Sequence, residues 1–369
     1  MNIKVLIDFD IFSENKKDNK TFDKNIELLK RIVKIYPCDL FILKKDFPLF
    51  NSLSIENINF FIEEELEGKD DFINETSKKY DWILYFKKNI SEVECKENIV
   101  YTPIDLRGDL KQFNNISFTE HAKSKKYYHD FSNYYMYTLA NDTQKETEFL
   151  MKVFKKYLNK DSGKVLDCCC GVGRHSYILA QNGFEVTGVD FSEDQINNAK
   201  RIHNHPNIDY KNMDVRNLCL EDKDYDMSCC MWTTYNYLSL DSDLKKFIYS
   251  TYCHQKKGGI LVLDSKNIPR LEPHRLYNRY TEKANFKMEI MINKYVYNNI
   301  QNSQYFLFIN DSGEKKFFFD DEFVRFYTIE ELNKIVDGYY EIIDIYGDFD
   351  MNEYDKKVSN RFITILRKI

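Results

Sequence analysis

The stretch 164–176, KVLDCCCGVGRHS, sets an acidic residue, three consecutive cysteines and a Gly-Val-Gly turn between an apolar run and a helical pattern. Glycines at a strand-to-helix junction let backbone N–H groups approach a ligand closely, and Asp167 can hold that ligand's polar groups. The next apolar run, EVTGVDF, ends at Asp190, 23 residues after Asp167. A carboxylate at the tip of the second strand of a doubly wound sheet can accept both hydroxyls of a ribose. A third segment, NMDVRN, offers Asp214 and the Val215 backbone, a placement suited to an adenine amino group and ring edge. Together they point to a nucleoside-containing cofactor. A dinucleotide fingerprint would need a third glycine after Gly173, where Arg174, His175 and Ser176 stand instead, and a phosphate loop would need the absent G-K-[ST].

The cysteines invite a metal or redox reading that their pattern does not support. Cys38, Cys95, Cys219 and Cys253 are scattered, no C-x-x-C pair occurs, and the seven histidines supply no companion ligand pattern. Adjacent cysteines do not readily bridge one another. No metal site is expected, and Cys168 and Cys170 read as alternating across a strand end. Cys229 and Cys230 fall on a later strand, where small thiols pack well.

The elements that must position these residues form two series. The first hundred or so residues alternate strand runs (KVLIDFDI, DLFILKK, DWILYFKK, ENIVYTPID) with helical spacing in FDKNIELLKRIVKIY and DDFINETSKKY. That is the rhythm of a small α/β domain with a mainly parallel sheet, assigned to 1–115. A polar link from Leu106 to Lys126 follows. The second domain, 125–369, opens with helices, runs through KVLDCC, EVTGVDF, IDYKNMDV, YDMSCCMW and GGILVLDSK as strands, and closes with TIEELNKIVDG, YEIIDIYGDF and RFITILRK. Ser192, followed by Glu193 and Asp194, is a plausible helix N-cap. Over about 277–327 the helical period gives way to antiparallel strand patterns, with NDSGE a hairpin turn.

In this order of motifs, residues 127–200 and the segments after them resemble a class I S-adenosylmethionine-dependent methyltransferase, nearest to those that act on small molecules and peptide amines and carry a β-rich lid. The resemblance covers about the last two-thirds of the chain. It implies an α/β fold, a Rossmann-like doubly wound methyltransferase sheet with an antiparallel β lid insertion, preceded by the smaller α/β domain of unrecognised family. It also implies S-adenosyl-L-methionine as cofactor. By position, Asp167, Cys169, Gly171, Gly173 and Arg174 surround the methionine half, Asp190 binds the ribose, and Phe191 packs on the adenine. Asp214 and Val215 read the adenine edge, Met231, Trp232 and Thr233 border the sulfonium, and Tyr128 lies in a helical cap. Cys169 replaces the family's usual first glycine, which a small residue can do if the backbone avoids positive φ.

Methyl transfer from a sulfonium mainly needs alignment of nucleophile, methyl and sulfur, desolvation and a proton acceptor. Substrate-side candidates are Tyr134, Tyr235, Asn236, Asp264, Arg325 and Tyr327, with a structural role the commoner outcome for each. His175, on the first turn after the glycine loop, is expected to pack or to touch the cofactor. The Asn/Asp-Pro-Pro-Tyr/Phe motif of base and amide methylation is missing after the fourth strand, and a net charge of −6 argues against coating nucleic acid. Asp8 and Asp10 form a D-x-D at the first strand end without the later acidic pair that a Mg²⁺-dependent phosphatase would need.

The expected protein is therefore a cytoplasmic two-domain enzyme that methylates an amine or hydroxyl of a small molecule, sugar or peptide. The rivals are an RNA methyltransferase that grips its substrate with the first domain, and a cofactor-binding regulator without turnover. No run of about 18 apolar residues suggests a membrane span, and a homodimer is left open. Asp190→Ala should greatly weaken S-adenosylmethionine binding, measured by calorimetry, while circular dichroism shows the fold intact. Unchanged affinity would sink the assignment.

Overall fold

The computed structural model describes residues 3–8, 19–36, 38–43, 58–63, 73–74, 76–86, 93–102, 122–123, 125–129, 131–138 and 142–369. The chain parts into two compact units. The first comprises Met1–Gly108 with His274–Lys294 and Gln304–Phe319, and the second Asp109–Pro273 with Tyr295–Ser303 and Asp320–Ile369. The chain thus changes unit between Gly108 and Asp109, ahead of the expected limits of 1–115 and 125–369, and again within the β-rich insertion.

In the first unit, strand β1 (Ile3–Asp8) is followed by helix α1 (Asn19–Ile32) and strands β2 (Cys38–Leu43), β3 (Ile58–Glu63), β4 (Trp82–Phe86), β5 (Glu94–Lys96) and β6 (Ile99–Thr102). They form one sheet of order β3-β2-β1-β4-β6-β5, parallel except for the β5–β6 pair. A parallel sheet is covered on both faces, so its strands read as near-continuous apolar runs. In β1, Ile3, Val5 and Ile7 join α1 residues such as Leu29 and Ile32, while Leu6 packs on the opposite face with Ile83 and Tyr85. Asp8 closes β1, but its side chain and Asp10 lie outside the described residues, as do most of the 106–126 link and residues 70–72 and 75.

The second unit contributes helices α2 (Ser132–Thr138) and α3 (Thr143–Leu158), then β7 (Lys164–Cys168), α4 (Arg174–Gln181), β8 (Glu185–Asp190), α5 (Glu193–Ile202), β9 (Ile208–Asn212), β10 (Tyr225–Cys230), α6 (Asp241–His254) and β11 (Gln255–Lys266). The insertion consists of β12 (His274–Lys283), β13 (Phe286–Tyr297), β14 (Ile300–Asp311) and β15 (Glu314–Arg325), a four-stranded sheet in sequence order. Ser312 and Gly313, both at positive φ, make the β14–β15 turn within the expected NDSGE. Helix α7 (Ile329–Val336), opened by a Thr328/Glu331 capping box, and strands β16 (Tyr340–Tyr346) and β17 (Arg361–Lys368) close the chain.

The main sheet of this unit has the order β16-β17-β11-β10-β7-β8-β9. All its pairings are parallel except the two that β17 makes. Chain order reverses between β7 and β10, and in open α/β sheets the ligand crevice lies outside the carboxyl ends of the strands at such a reversal. Two apolar layers flank the sheet. Leu166, Cys168 and Cys230 face Leu244 and Phe247 of α6 and Leu332 and Ile335 of α7. Val165, Met227 and Cys229 face Phe149 and Val153 of α3 and Leu179 of α4. Among the described residues, no helix is long and apolar enough to cross a membrane.

The insertion's strands supply part of the first unit's core. Met291, Phe306 and Phe308 are buried with Ile7, Trp82 and Phe86. The Trp82 ring meets Phe308 edge-on at 5.6 Å and Phe317 at 6.1 Å. Ring pairs at such separations add to simple burial.

Candidate functional site

The chain leaves β7 through a turn that is left-handed at three places. Cys169 has φ 59°, Gly171 56° and Gly173 76°. The expectation that Cys169 would avoid positive φ is overturned, because cysteine bends the chain as glycine would, at a cost of about 1–2 kcal/mol for a residue with a Cβ. Gly173 has no such latitude: a Cβ there would stand 2.2 Å from the Tyr210 hydroxyl oxygen. The three cysteines have separate places. Cys168 packs in the sheet core, Cys170 packs with Ile196, Ala199 and Tyr210, and Cys169 lines a pocket. Burial pushes the Cys168 and Cys170 thiols well above their usual range, so they stay protonated. All nine cysteines are free, and no cluster of three or more potential metal ligands forms among the described residues.

Asp190, at the tip of β8, holds this turn. Its Oδ2 accepts the Gly171 N–H at 2.9 Å and its Oδ1 the Ser192 N–H at 2.9 Å. Ser192 in turn caps α5, accepting the Gln195 N–H and donating to the Tyr128 carbonyl. Burial pushes the Asp190 carboxyl up to about 6, against the opposing pull of the two N–H groups. The pocket itself is lined by Cys169, Gly171 and Asp190, by Phe191, Met213 and Val215, and by Tyr128, Thr234, Tyr237 and Leu238. The buried Gln195 also lines it, and neither amide atom has a hydrogen-bond partner among the described residues. An acceptor carboxylate, an orphaned amide, an exposed glycine backbone and flat apolar walls fit a nucleoside.

The structure thus gathers Tyr128, Cys169, Gly171, Asp190, Phe191, Asp214 and Val215 around one pocket. Tyr128 meets Phe191 edge-on at 6.1 Å. The Asp214 carboxylate is already heavily engaged, accepting from Lys123 Nζ at 2.6 Å and from the Arg216 backbone and guanidinium. Burial opposes its charge, but Arg216 and Lys123 outweigh burial and hold the carboxyl far below the usual range. The buried Asp167 accepts the Ser176 hydroxyl at 2.6 Å.

Arg174 and His175 turn away to α3, where both donate to the buried Glu146, at 2.5 Å and 2.8 Å. Arg174 also lies 5.4 Å over the Trp232 ring, and Arg361 flanks the same ring at 5.5 Å. Trp232 and Thr233 are left-handed, at φ 60° and 67°. Asp264 holds them there: its Oδ2 accepts the Trp232 N–H at 2.8 Å and its carbonyl the Thr233 N–H at 3.0 Å. Asp264, fully buried, is ion-paired with Arg361 through both oxygens, a link between positions 97 residues apart that no local pattern announces. Met231 is buried against the α3 side of the sheet.

The remaining substrate-side candidates are committed to packing. Tyr235 and Tyr327 stack at 6.3 Å inside the core, and Tyr327 donates to the Leu238 carbonyl. Asn236, fully buried, donates to the Arg325 carbonyl at 2.7 Å and accepts from Ser265. Arg325 bridges Asp241 and Glu331. Tyr134 sits on α2 against Phe131, with ring centroids 6.5 Å apart. Sequence reasoning missed Gln195, Tyr237 and Glu322. Tyr237 donates to the Glu322 carboxylate, and its oxygen lies 2.6 Å from that of Tyr128.

Residues 165–259 match the family model described as a methyltransferase domain. Glycine/sarcosine N-methyltransferase of Parasynechococcus marenigrum (strain WH8102) is 25% identical over 186 residues, 46% of this chain and 62% of that protein. Ubiquinone biosynthesis O-methyltransferase of Coxiella burnetii (strain Dugway 5J108-111) is 32% identical over 122 residues, 32% of this chain and 49% of that protein. This chain thus spans less than two thirds of either relative. The solved sugar N-methyltransferase KedS8 of Streptoalloteichus sp ATCC 53650 superimposes with a TM-score of 0.56 at 15% identity, over 63% of this chain and 91% of that one, a likeness of fold.

The Cys169 backbone makes a stability prediction. Cys169→Gly removes the left-handed penalty and should hold or raise stability, by up to about 1 kcal/mol. Cys169→Val, β-branched at the same φ, should lower it by about 2 kcal/mol. Urea unfolding of the three proteins checks the order Gly, Cys, Val; a valine variant as stable as the wild type would contradict it.

Proposed function

We propose that its methyltransferase domain makes this chain an enzyme that moves a methyl group from S-adenosylmethionine to an amine of a small molecule, sugar or peptide, with a hydroxyl as the alternative acceptor. The domain is of class I, the S-adenosylmethionine-dependent class, and its doubly wound sheet is the Rossmann-like sheet of that class. The observation that carries the reading is the pocket at the chain reversal, where the Asp190 carboxylate, the Gly171 turn and the Val215 edge meet.

S-adenosylmethionine, when bound, supplies a methyl already activated on a sulfonium. What falls to the chain is positioning, exclusion of water and removal of the acceptor's proton. Asp190 would hold the ribose through its remaining lone pairs, with Phe191 and Met213 as the apolar walls around the base. Asp214, engaged by Lys123 and Arg216, would act by fixing the Val215 backbone beside the adenine edge. The Asp264–Arg361 pair, with Arg174 across the Trp232 ring, would keep the strained turn after β10 aimed at the reacting atoms. The chemistry is assigned wholly to the second unit.

An amine is favoured over a hydroxyl by what stands behind Tyr128 and Tyr237. Both phenols line the pocket and converge on Glu322 of β15, Tyr237 by a direct bond and Tyr128 at 3.5 Å. The neighbouring Asp320 and Asp321 both pair with Lys125. The Glu322 carboxylate behind the two phenols suits an acceptor that arrives as an ammonium ion, and the phenol–carboxylate chain offers its proton a route out.

Two outcomes test this reading. Glu322→Gln should slow methylation of a small amine about 100-fold, read as S-adenosylhomocysteine release across a panel of amines and alcohols. Its calorimetric affinity for S-adenosylhomocysteine should stay within about twofold; a rate unchanged on every amine would reject the role. The second outcome is a pH dependence set by Asp190, whose carboxyl in the folded chain titrates near 6 against an ordinary 3.8. Because the folded state takes up this proton at higher pH, the group's contribution to stability rises as pH falls through 6 towards 3.8. Affinity for S-adenosylhomocysteine should move the opposite way, weakening below pH 6 as the carboxylate that accepts the hydroxyls is lost. Asp190→Asn should abolish both trends, and a flat wild-type affinity from pH 7 to 5 would exclude the mechanism.

A further inference from the structure

We propose that the first unit carries an anion-binding site on the β12–β13 hairpin, where Arg275, Arg279 and Lys294 gather over the ring of Tyr277, and that its ligand is the phosphate group of a small molecule. The site lies within His274–Lys294, a segment of the first unit, and does not depend on the cofactor reading. β12 is an end strand of its sheet, and only Ala284 and Asn285 separate it from β13. The Val296 N–H donates to the Pro273 carbonyl at 2.8 Å, so these two residues face each other across the hairpin. Two positions further along each strand, Arg275 stands opposite Lys294. Residues two apart on a strand share a face, so Arg275, Tyr277 and Arg279 form one row beside Lys294.

Like charges directly opposite on neighbouring strands destabilise the pair. Among the described residues, neither Arg275 nor Lys294 pairs with a carboxylate, and the contact each makes is with the Tyr277 ring, at 4.8 Å and 5.8 Å. Arg279 lies over the same ring at 5.5 Å. Elsewhere on the hairpin the charges are matched: Lys287 is ion-paired with Glu282 at 2.9 Å, and Tyr280 donates to the same carboxylate. In a chain with 59 acidic and 53 basic residues, a repulsion left uncompensated at one place is explained by an anion that completes it.

The arrangement also says what kind of anion. The cations converge on one ring instead of being strung along the strand, which suits one compact group and not the repeating charges of a nucleic-acid backbone. A carboxylate supplies a single charge, whereas a phosphate ester supplies about two and offers three acceptor oxygens. Arg275, exposed and held over the tyrosine, presents the guanidinium fork that matches phosphate, and the partly buried Lys294 adds a point charge from the neighbouring strand.

Calorimetry and thermal melting of the full chain with inorganic pyrophosphate test the site. Pyrophosphate at millimolar concentration should raise the melting temperature of the wild type. Arg275→Gln and Lys294→Gln should each bind it about tenfold more weakly, the loss of one charge-assisted contact, and the double variant should not bind. Lys287→Gln, on the same hairpin but outside the row, should bind as the wild type does. Without ligand, Arg275→Gln and Lys294→Gln should melt no lower than the wild type, because a repulsion has been relieved. A lower melting temperature in both would show that the charges serve the fold, and would reject the site. No response of the wild type to pyrophosphate, or an equal loss in Lys287→Gln, would overturn the proposal. So would tighter binding of a uridine oligonucleotide that requires Arg275 and Lys294, which would make the ligand a nucleic acid.

Discussion

Two backbone N–H groups, from Gly171 and Ser192, converge on one buried carboxylate, and the geometry of the pocket depends on that convergence. The Asp190 bonds tie the turn after β7 to the start of α5, so that two separate strand ends share a single anchor. The anchor is bought against the desolvation of a charge inside the fold, which raises the acid's pKa instead of lowering it. Structural ion pairs usually do the reverse, as Glu146 does: there burial is outweighed by His175 and Arg174, and the carboxyl is held below its ordinary value. A buried carboxylate with a raised pKa beside a cavity marks a candidate functional position.

The turn after β10 obeys a different rule. Trp232 and Thr233 adopt backbone conformations that non-glycine residues rarely hold, and they do so because Asp264 takes both their N–H groups while Arg361 neutralises its charge. Breaking a buried pair of this kind is expensive because the surviving charge has no partner. Such strain is kept where the surroundings over-determine it, and here the surroundings include two guanidinium groups over the indole. Two adjacent strand ends are thus set by different devices, one by hydrogen bonds to a lone carboxylate and the other by an ion pair.

What was legible in the sequence follows from range. The glycine turn, Asp190, the Ser192 cap and the alternation of strand and helix are encoded within windows of a dozen residues, and each stands where the pattern puts it. The positive φ of Cys169 was not legible, because residue type alone argues against a left-handed backbone at a cysteine. Nor was the commitment of Tyr235, Asn236, Arg325 and Tyr327 to a packed girdle, since it depends on bonds between positions 89 residues apart, Asn236–Arg325 and Tyr327–Leu238. Gln195 escaped notice because an amide on a helix's first turn looks like a solvated position until its burial is known.

The apolar strands of the insertion carry a consequence for how the chain comes to be folded. Trp82, Phe86 and Val5 are covered in part by Phe306, Phe308 and Met291, which are synthesised some two hundred residues later. The first unit is therefore not finished when Gly108 leaves the ribosome, although domains commonly fold in the order in which they emerge. Its aromatic face stays open until β15 has been made. By then the whole stretch from the glycine turn to β11 is available to fold, so the amino-terminal unit of this protein is completed after most of the sheet that follows it.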